Sequence, residues 1–176
     1  MNDRIDDQLP VAVIGAGPVG LAAAAHLLEH GIEPLVLEAA DAVGANLLDY
    51  GHVALFSPWR YNLDSAMVTT LARHGWRSPD LDQLPLAREI VERVLQPYAA
   101  LPEVEPFIRL GHRVLSISRE GFDKVKTEGR DRAPFVIRVA AASGQADIRA
   151  RAVIDSSGTW TTPNPLGANG LPAIGE

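Results

Sequence analysis

The feature that most constrains the fold is a group of three closely spaced glycines between a short apolar run and an alanine-rich stretch. These glycines are Gly15, Gly17 and Gly20. The apolar run Val11–Ile14 stops directly at the first of them, which is typical of a strand buried on both faces of a parallel sheet. Residues 19–30 predict a helix ended by Gly31, and residues 35–37 predict a second buried strand. Together these segments fill about 30 residues, the size of one βαβ crossover.

The spacing G-x-G-x-x-G between a strand and a helix is the pattern of loops that bind the pyrophosphate of a dinucleotide. Gly15 permits the tight turn, Gly17 lets the backbone approach the phosphates, and Gly20 lets the helix pack closely on the strand. Backbone N–H groups and the positive end of the helix dipole then face the phosphates. The alternative, glycines that serve only turns, does not account for the flanking strand and helix.

A carboxylate follows the second predicted strand. Glu38 lies 18 residues after Gly20, where it can accept hydrogen bonds from both ribose hydroxyls of an adenosine. A 2′-phosphate would be repelled there, which argues against NADP at this site. The βαβ pattern by itself suits NAD and FAD equally.

The middle of the chain predicts one long loop and two helices. Residues 41–58 lack clean periodicity and predict an irregular loop with one short helix. Residues 65–74 predict a short helix capped by Asp64 or Ser65. Residues 86–98 place apolar side chains on one face and charged ones on the other, which predicts an amphipathic helix.

From residue 107 the hydrophobic period changes to two, which predicts strands. The three candidate strands are residues 113–119, 135–141 and 147–152, with turns between them. They predict an antiparallel meander. A short apolar run, residues 152–155, then predicts a further buried strand that leads into Ser156, Ser157 and Gly158.

Composition narrows the classes of function. The chain has 176 residues, 47% of them hydrophobic, enough for the core of one domain. The formal net charge is -6, and no run of Lys or Arg is present, which argues against a nucleic-acid partner. There is no cysteine, which excludes flavin enzymes that work through a redox-active cysteine pair. The segment Met1–Pro10 is acidic rather than signal-like, and no segment could span a membrane, so we expect a cytoplasmic protein.

Two sequence segments resemble a known family. The first runs from Val13 to Leu21 with Leu37 and Glu38 following, and it is similar to the N-terminal FAD motif of two-dinucleotide-domain flavoproteins, especially the flavin-containing monooxygenase-like enzymes. The second runs from Val153 to Trp160 with two prolines after it. It resembles the strand that ends on a glycine beside the flavin.

The resemblance implies an α/β fold: a Rossmann-like, FAD-binding ββα sandwich with a parallel central sheet and an inserted antiparallel β-meander. It favours FAD over NAD, because the meander between two Rossmann-type strands is the family's arrangement. His112 and its neighbours would contact the adenine, unless they are an ordinary strand start. By the resemblance, the residues that bind the cofactor are Gly15, Ala16, Gly17, Pro18, Val19, Gly20, Glu38, Ala39, Gly44, Ala45, Asn46, Arg113, Val114, Ser156, Ser157, Gly158 and Trp160.

Other candidate residues carry less chemistry. The aromatic loop from Phe56 to Asn62 could line a pocket, but we favour core packing for its rings. His26 and His30 are spaced i and i+4 without the neighbouring glutamate of a zinc site, so we predict a solvated helix face and no metal. Ser156 and Ser157 lack a nucleophile-elbow context. The sequence assigns no catalytic residue.

The domain limits follow from these segments. Residues 8–162 are predicted to form the FAD-binding domain, with the meander at about 113–152. Residues 163–176 have the composition of a linker, toward an NAD(P)H domain whose second G-x-G-x-x-G unit this chain does not contain.

The first functional hypothesis is an FAD-dependent oxidoreductase, as the FAD-binding part of a flavin monooxygenase-like enzyme. NAD(P)H would be its reductant only if a second domain or chain supplied the site. The alternative is a non-catalytic dinucleotide-binding module or subunit that needs an NAD(P)H-binding partner. A third hypothesis, an NAD-dependent dehydrogenase, predicts alternating βαβ units, which the meander does not fit. A small-molecule substrate and an oligomer both stay open.

Overall fold

A computed structural model describes residues 8–162, 164–167 and 169–175. Most of the acidic N-terminal segment, residues 1–7, lies outside the described residues, as do Pro163, Ala168 and Glu176 of the predicted linker. The described part of that linker forms no helix and no strand. The limits predicted for the domain and the linker stay predictions.

The described residues form seven strands in two sheets. In chain order they are β1 (Val11–Ile14), β2 (Pro34–Leu37), β3 (Ile108–Arg109), β4 (Arg113–Arg119), β5 (Phe135–Ala141), β6 (Gly144–Ala150) and β7 (Ala152–Asp155). A four-stranded parallel sheet has the order β3-β2-β1-β7, and a three-stranded antiparallel sheet has the order β4-β5-β6. The predicted parallel sheet with an antiparallel meander is therefore confirmed.

The helices lie mainly on one side of the parallel sheet. They are α1 (Pro18–Glu29), α2 (Ala45–Asp49), α3 (Ser65–Arg73), α4 (Ala87–Ile90), a π-helical segment (Val91–Leu95) and α5 (Gln96–Ala99). The last three run without interruption, so the predicted amphipathic helix at 86–98 exists but contains a π-helical stretch. The predicted cap of α3 is Asp64, whose carboxylate accepts hydrogen bonds from the N–H groups of Ala66 and Met67.

Alternation along β1 and β2 divides the core into two layers. Val13 and Val36 point toward the helices, where they join the large cluster built around Leu21, Trp59 and Tyr98. Their strand neighbours Ala12, Leu35 and Leu37 point to the other face, where Ile137 and Val139 of the antiparallel sheet cover them. The order of layers is thus antiparallel sheet, parallel sheet and helices, the predicted ββα sandwich. Both faces of β1 are covered, which is why its residues are apolar without alternation.

The meander differs from its prediction at the third strand. We predicted residues 147–152, but β6 begins at Gly144 and ends at Ala150. Gly144 has a φ of 111°, and the tight turn that it permits pairs it with Ala141, so β6 starts as soon as β5 ends. Ala152 belongs instead to β7, where it pairs in parallel with Val11.

One strand of the parallel sheet was not predicted. β3 has only two residues, Ile108 and Arg109, which is too short for periodicity to reveal. At its last residue, the Arg109 carbonyl accepts from the Glu38 N–H, and beyond the strand the His112 N–H donates to the Glu38 carbonyl. β3 therefore brings the start of β4 to the end of β2.

Candidate dinucleotide-binding cleft

Parallel pairing brings three strand ends to one edge of the sheet. Ile14 at the end of β1 pairs with Leu37 of β2 on one side and with Asp155 of β7 on the other. A cleft of about 780 Å³ opens at this edge, bounded by the glycine loop, α2, the start of β4 and the segment after β7. Clefts at the carboxyl ends of parallel strands are the usual ligand sites of open α/β sheets.

Two of the three glycines are required by packing within the chain. A Cβ on Gly20 would lie 1.9 Å from the Gly15 carbonyl oxygen. Gly15 itself has a φ of 96°, and its N–H donates to the Leu37 carbonyl at 2.8 Å. The Ser156 hydroxyl donates to the Ile14 carbonyl at 2.7 Å and ties the end of β7 to the same turn. These contacts let α1 start directly against the sheet.

Gly17 is different, because no contact or backbone angle in the described chain requires a glycine at this position. Its φ of -81° is open to any residue, and a Cβ would meet no described atom within 4 Å. Gly17 lines the cleft and caps the start of α1, so the space above its backbone is cleft volume at the positive end of a helix of 12 residues. None of the described residues accepts a hydrogen bond from its N–H.

Glu38 joins the glycine loop to the end of β2. One carboxylate oxygen accepts from the Ala16 N–H at 2.7 Å, and the other accepts from the Ala40 N–H at 2.9 Å. The side chain is partly exposed and lines the cleft, one residue beyond the last buried position of β2. The carboxylate is therefore held toward the cleft with acceptor capacity left for a ligand.

The loop after β2 passes along the cleft. Gly44 has a φ of 67°, and its N–H donates to the Ala16 carbonyl at 3.0 Å. A Cβ there would lie 2.8 Å from Val91 Cγ2, so packing on the π-helical segment also requires glycine. The short helix expected in this loop is α2, and its first residues, Ala45 and Asn46, line the cleft.

The segment after β7 forms a further side of the cleft. The Trp160 indole N–H donates to Asp49 Oδ2 at 2.7 Å, and its ring lies 4.9 Å from the ring of Tyr50. Ser157 donates both its N–H and its hydroxyl to the Asp155 carboxylate, and these hydrogen bonds lower the pKa of Asp155. Side-chain contacts thus hold this segment against α2.

Most residues expected at the site line the cleft. Those that do so are Gly15, Gly17, Pro18, Val19, Glu38, Ala39, Gly44, Ala45, Asn46, Arg113, Val114, Ser156, Ser157, Gly158 and Trp160. Ala16 and Gly20 are not among the lining residues: Ala16 is fully buried, and Gly20 packs under the turn. Both shape the loop rather than face the cleft. The role of each residue toward a cofactor stays a prediction.

Sequence reasoning missed several lining residues. Tyr50 and Asp155 line the cleft, as do Leu115 and Ile117 of β4. The two β4 side chains are 47% and 39% exposed, so the two-residue period of a strand start beside the site could have found them. No local sequence pattern indicates that Tyr50 lines the cleft, because only folding brings it to Trp160, which is 110 residues away in the chain.

The aromatic loop from Phe56 to Asn62 lies away from the cleft. Trp59 is 1% exposed and packs in the core, as predicted, whereas Phe56 is 98% and Tyr61 75% exposed, so core packing is wrong for those two rings. Among the described residues, no group of three His, Cys, Asp or Glu side chains could hold a metal ion. His26 contacts Asp64, and the His30 ring contacts the His26 carbonyl. No described helix has the length and apolar character needed to cross a membrane.

The sheet order, the βαβ unit and the cleft define a Rossmann-like domain with an added antiparallel layer. Residues 13–79 match the family model of the NAD(P)-binding Rossmann-like domain. By sequence, no curated protein matches the chain.

Solved structures share the fold. The bacillithiol disulfide reductase Bdr (YpdA) from Bacillus cereus has a TM-score of 0.64 at 21% identity, over 92% of this chain and 42% of its own. OTEMO in complex with FAD and NADP has a TM-score of 0.62 at 17% identity, over 93% of this chain and 29% of its own. An oxidized steroid monooxygenase bound to NADP has a TM-score of 0.62 at 22% identity, over 85% of this chain and 26% of its own. The chain thus spans less than half the length of these proteins, and the likeness shows the fold.

Proposed function

We propose that the cleft binds FAD and that the chain is the FAD-binding part of a monooxygenase-like, NAD(P)H-dependent flavoprotein oxidoreductase. The observation that carries this proposal is the open space over Gly17, because packing explains Gly15 and Gly20 but not Gly17. A pyrophosphate is a ligand that requires a bare backbone at this position. The pyrophosphate would therefore lie over Gly17 at the start of α1.

The rest of the cleft suits the two ends of FAD. The Glu38 carboxylate, held by the Ala16 and Ala40 N–H groups, can accept from ribose hydroxyls beside the start of β4. The opposite end, with Ser157 and Trp160, would receive the flavin ring. A volume of about 780 Å³ is within the range of small-molecule and cofactor sites.

The antiparallel layer supports FAD over NAD. OTEMO, whose structure contains FAD and NADP, shares the fold over 93% of this chain. That coverage takes in the β4-β5-β6 sheet as well as the βαβ unit. A carboxylate at Glu38 also opposes the 2′-phosphate of NADP, so we assign the NAD(P)H site to another domain or chain.

Bound FAD would supply hydride and O₂ chemistry, and the protein would bind and orient it. The Glu38 and Asp155 carboxylates of the cleft are already held by hydrogen bonds within the chain. We therefore assign binding and orientation to these residues and no proton transfer.

A titration of the chain with FAD tests the proposal. We expect saturable binding with a perturbed visible flavin spectrum, and binding much weaker for NAD than for FAD. Gly17→Ala should weaken FAD binding by about tenfold or more, because its methyl group occupies the pyrophosphate position. The free energy of unfolding should change by less than about 1 kcal/mol, since φ at this position suits alanine.

Loss of affinity together with loss of folding in Gly17→Ala would contradict this account, and so would FAD binding equal to that of the unchanged protein. Mixing the FAD-loaded chain with NADPH tests the assignment of the NAD(P)H site to another domain or chain. Slow or absent reduction fits a binding part that needs an NAD(P)H site from elsewhere. Rapid reduction by NADPH alone would contradict that assignment.

A further inference from the structure

A second cavity, separate from the cleft, lies among α1, α3 and the segment around α5. Its volume is about 370 Å³, and none of its lining residues lines the cleft. Buried Ala25, Ala66 and Val104 contribute apolar surface, whereas Glu29, Arg73 and Glu103 contribute exposed charged side chains. A cavity of this size with an apolar floor and a few polar groups is the usual form of a small-molecule site.

Tyr98 brings a hydroxyl to the lining of this cavity. Its side chain is 1% exposed and lines the cavity, and its hydroxyl forms no hydrogen bond with any of the described residues. The hydroxyl is not among the buried unpaired atoms of the described residues, so it opens onto the cavity, where its hydrogen-bonding positions are available to a ligand. The hydroxyls of Thr69 and Thr70, also in the lining, instead donate to carbonyls of their own helix.

The surroundings keep the Tyr98 hydroxyl neutral. Burial first, and then the negative charges of Asp64 and Glu103, raise the pKa of Tyr98 to about 12. The hydroxyl therefore lies within the electrostatic field of Glu103, which lines the same cavity. A neutral phenol has lone pairs that can accept a hydrogen bond from a ligand.

Charge around the cavity favours a cation. Glu29 and Glu103 lie at its edge and Asp64 lies near the hydroxyl, whereas Arg73 is the one Lys or Arg side chain in the lining. His26 contacts Glu29 and Asp64, and His74 contacts Glu103. An anion would face more carboxylates than guanidinium groups, and a neutral ligand would gain little from them.

We propose that this cavity binds a small organic cation, a protonated amine on a compact apolar body. Its ammonium group would donate to the Tyr98 hydroxyl and face Glu29 and Glu103. Its hydrocarbon part would lie against Ala25, Ala66 and Val104. The site is at the opposite end of α1 from the glycine loop, so a ligand there and a dinucleotide in the cleft can be present together.

Three probes of nearly the same shape test the chemistry of the site. Benzylamine is cationic, benzyl alcohol is neutral and benzoate is anionic near neutral pH. Each is titrated into the full chain, and backbone ¹H–¹⁵N shifts of Ala25, Ala66 and Val104 report binding. Benzylamine should bind saturably. The affinity for benzyl alcohol should be lower by about fivefold or more, and benzoate should not bind. Absence of saturable benzylamine binding, or equal affinity for the three probes, would overturn the proposal.

Tyr98→Phe removes the hydroxyl and keeps the ring. It should weaken benzylamine binding about threefold to tenfold, the effect of one lost hydrogen bond. Tyr61→Phe is the matched control, because Tyr61 is 75% exposed and lines neither cavity, and it should leave binding unchanged. If Tyr98→Phe does not fold, Glu29→Gln on the exposed end of α1 takes its place, with weaker benzylamine binding expected. Unchanged affinity in the folded variant would overturn the proposal, because the replaced group would then make no contact with the ammonium.

Discussion

Two walls of the cleft are built differently. At the glycine loop, backbone packs on backbone: Ala16 is fully buried, and Gly20 leaves no room for a methyl group beside the Gly15 carbonyl. At the segment after β7, Gly158 has open space around it and Trp160 is 49% exposed. Side-chain hydrogen bonds to Asp49 and Asp155 hold that segment.

Because of this difference, we expect the two parts of the cleft to respond differently to substitution. At Ala16 and Gly20 the glycine loop is part of the core, so a change at either residue acts on folding before it acts on a ligand. The segment after β7 is attached through contacts that can break without disturbing the sheet. We therefore expect substitutions at Ala16 or Gly20 to change stability, and substitutions after β7 to change how long a ligand stays bound.

The largest effect is expected from Gly20→Ala. The new methyl carbon would lie 1.9 Å from the Gly15 carbonyl oxygen and 2.8 Å from Ser156 Oγ, so α1 must move away from the sheet. The free energy of unfolding should fall by about 3 kcal/mol, as measured by urea denaturation. Gly17→Ala, in the same loop with open space around it, is the control. Equal stability of the two variants would contradict the inference that packing requires glycine at Gly20 but not at Gly17.

A smaller effect is expected from Trp160→Phe. The variant loses the hydrogen bond to Asp49 but keeps an aromatic ring beside Tyr50. On the proposed function, FAD should dissociate about threefold to tenfold faster in a stopped-flow displacement experiment. The free energy of unfolding should change by no more than about 0.5 kcal/mol.

Asp49→Asn is the matched partner of that experiment, because its amide oxygen can still accept from the indole. It should change the dissociation rate less than Trp160→Phe does. A loss of stability in Trp160→Phe as large as that of Gly20→Ala would show that both walls of the cleft belong to the core.

The smallest effect is expected from Ser157→Ala. Its hydroxyl and N–H lower the pKa of Asp155, so the folded state holds this carboxylate ionised more strongly than the unfolded state does. That contribution is present above the ordinary range of aspartate and is lost as the pH falls below about 4. Removing the hydroxyl should raise the pKa of Asp155, which a ¹³C NMR titration of its carboxyl group measures.

The same variant should also change how the free energy of unfolding depends on pH. Any stability difference between Ser157→Ala and the unchanged protein should be present near neutral pH and shrink in acid. A difference that grew as the pH fell would contradict the assigned sign. Because Asp155 is exposed, the change should be small.

Much of the fold could be predicted because its signals are local. Two short apolar runs, one followed by Gly15 and the other by Glu38, indicated β1 and β2, and the Asp64 cap marked the start of α3. The change of period at residue 107 indicated the meander. β3 was not predicted, because a strand of two residues is too short to show periodicity. The predicted bounds of the third meander strand were wrong, because a turn at Gly144 rather than alternation sets where the strand begins.

What the sequence by itself determined is the glycine loop, the carboxylate after β2 and the existence of an antiparallel insertion, since each depends on neighbours within a few residues. The motif assigned helix packing to Gly20 and phosphate approach to Gly17, but only the tertiary structure showed the contacts behind this difference, with the Gly15 carbonyl beside Gly20 and open space beside Gly17. The tertiary structure also decided that Tyr50 meets Trp160 and that the Tyr98 hydroxyl lacks a described partner beside a cavity. Such contacts join distant parts of the chain, and their geometry exists only after the layers have packed.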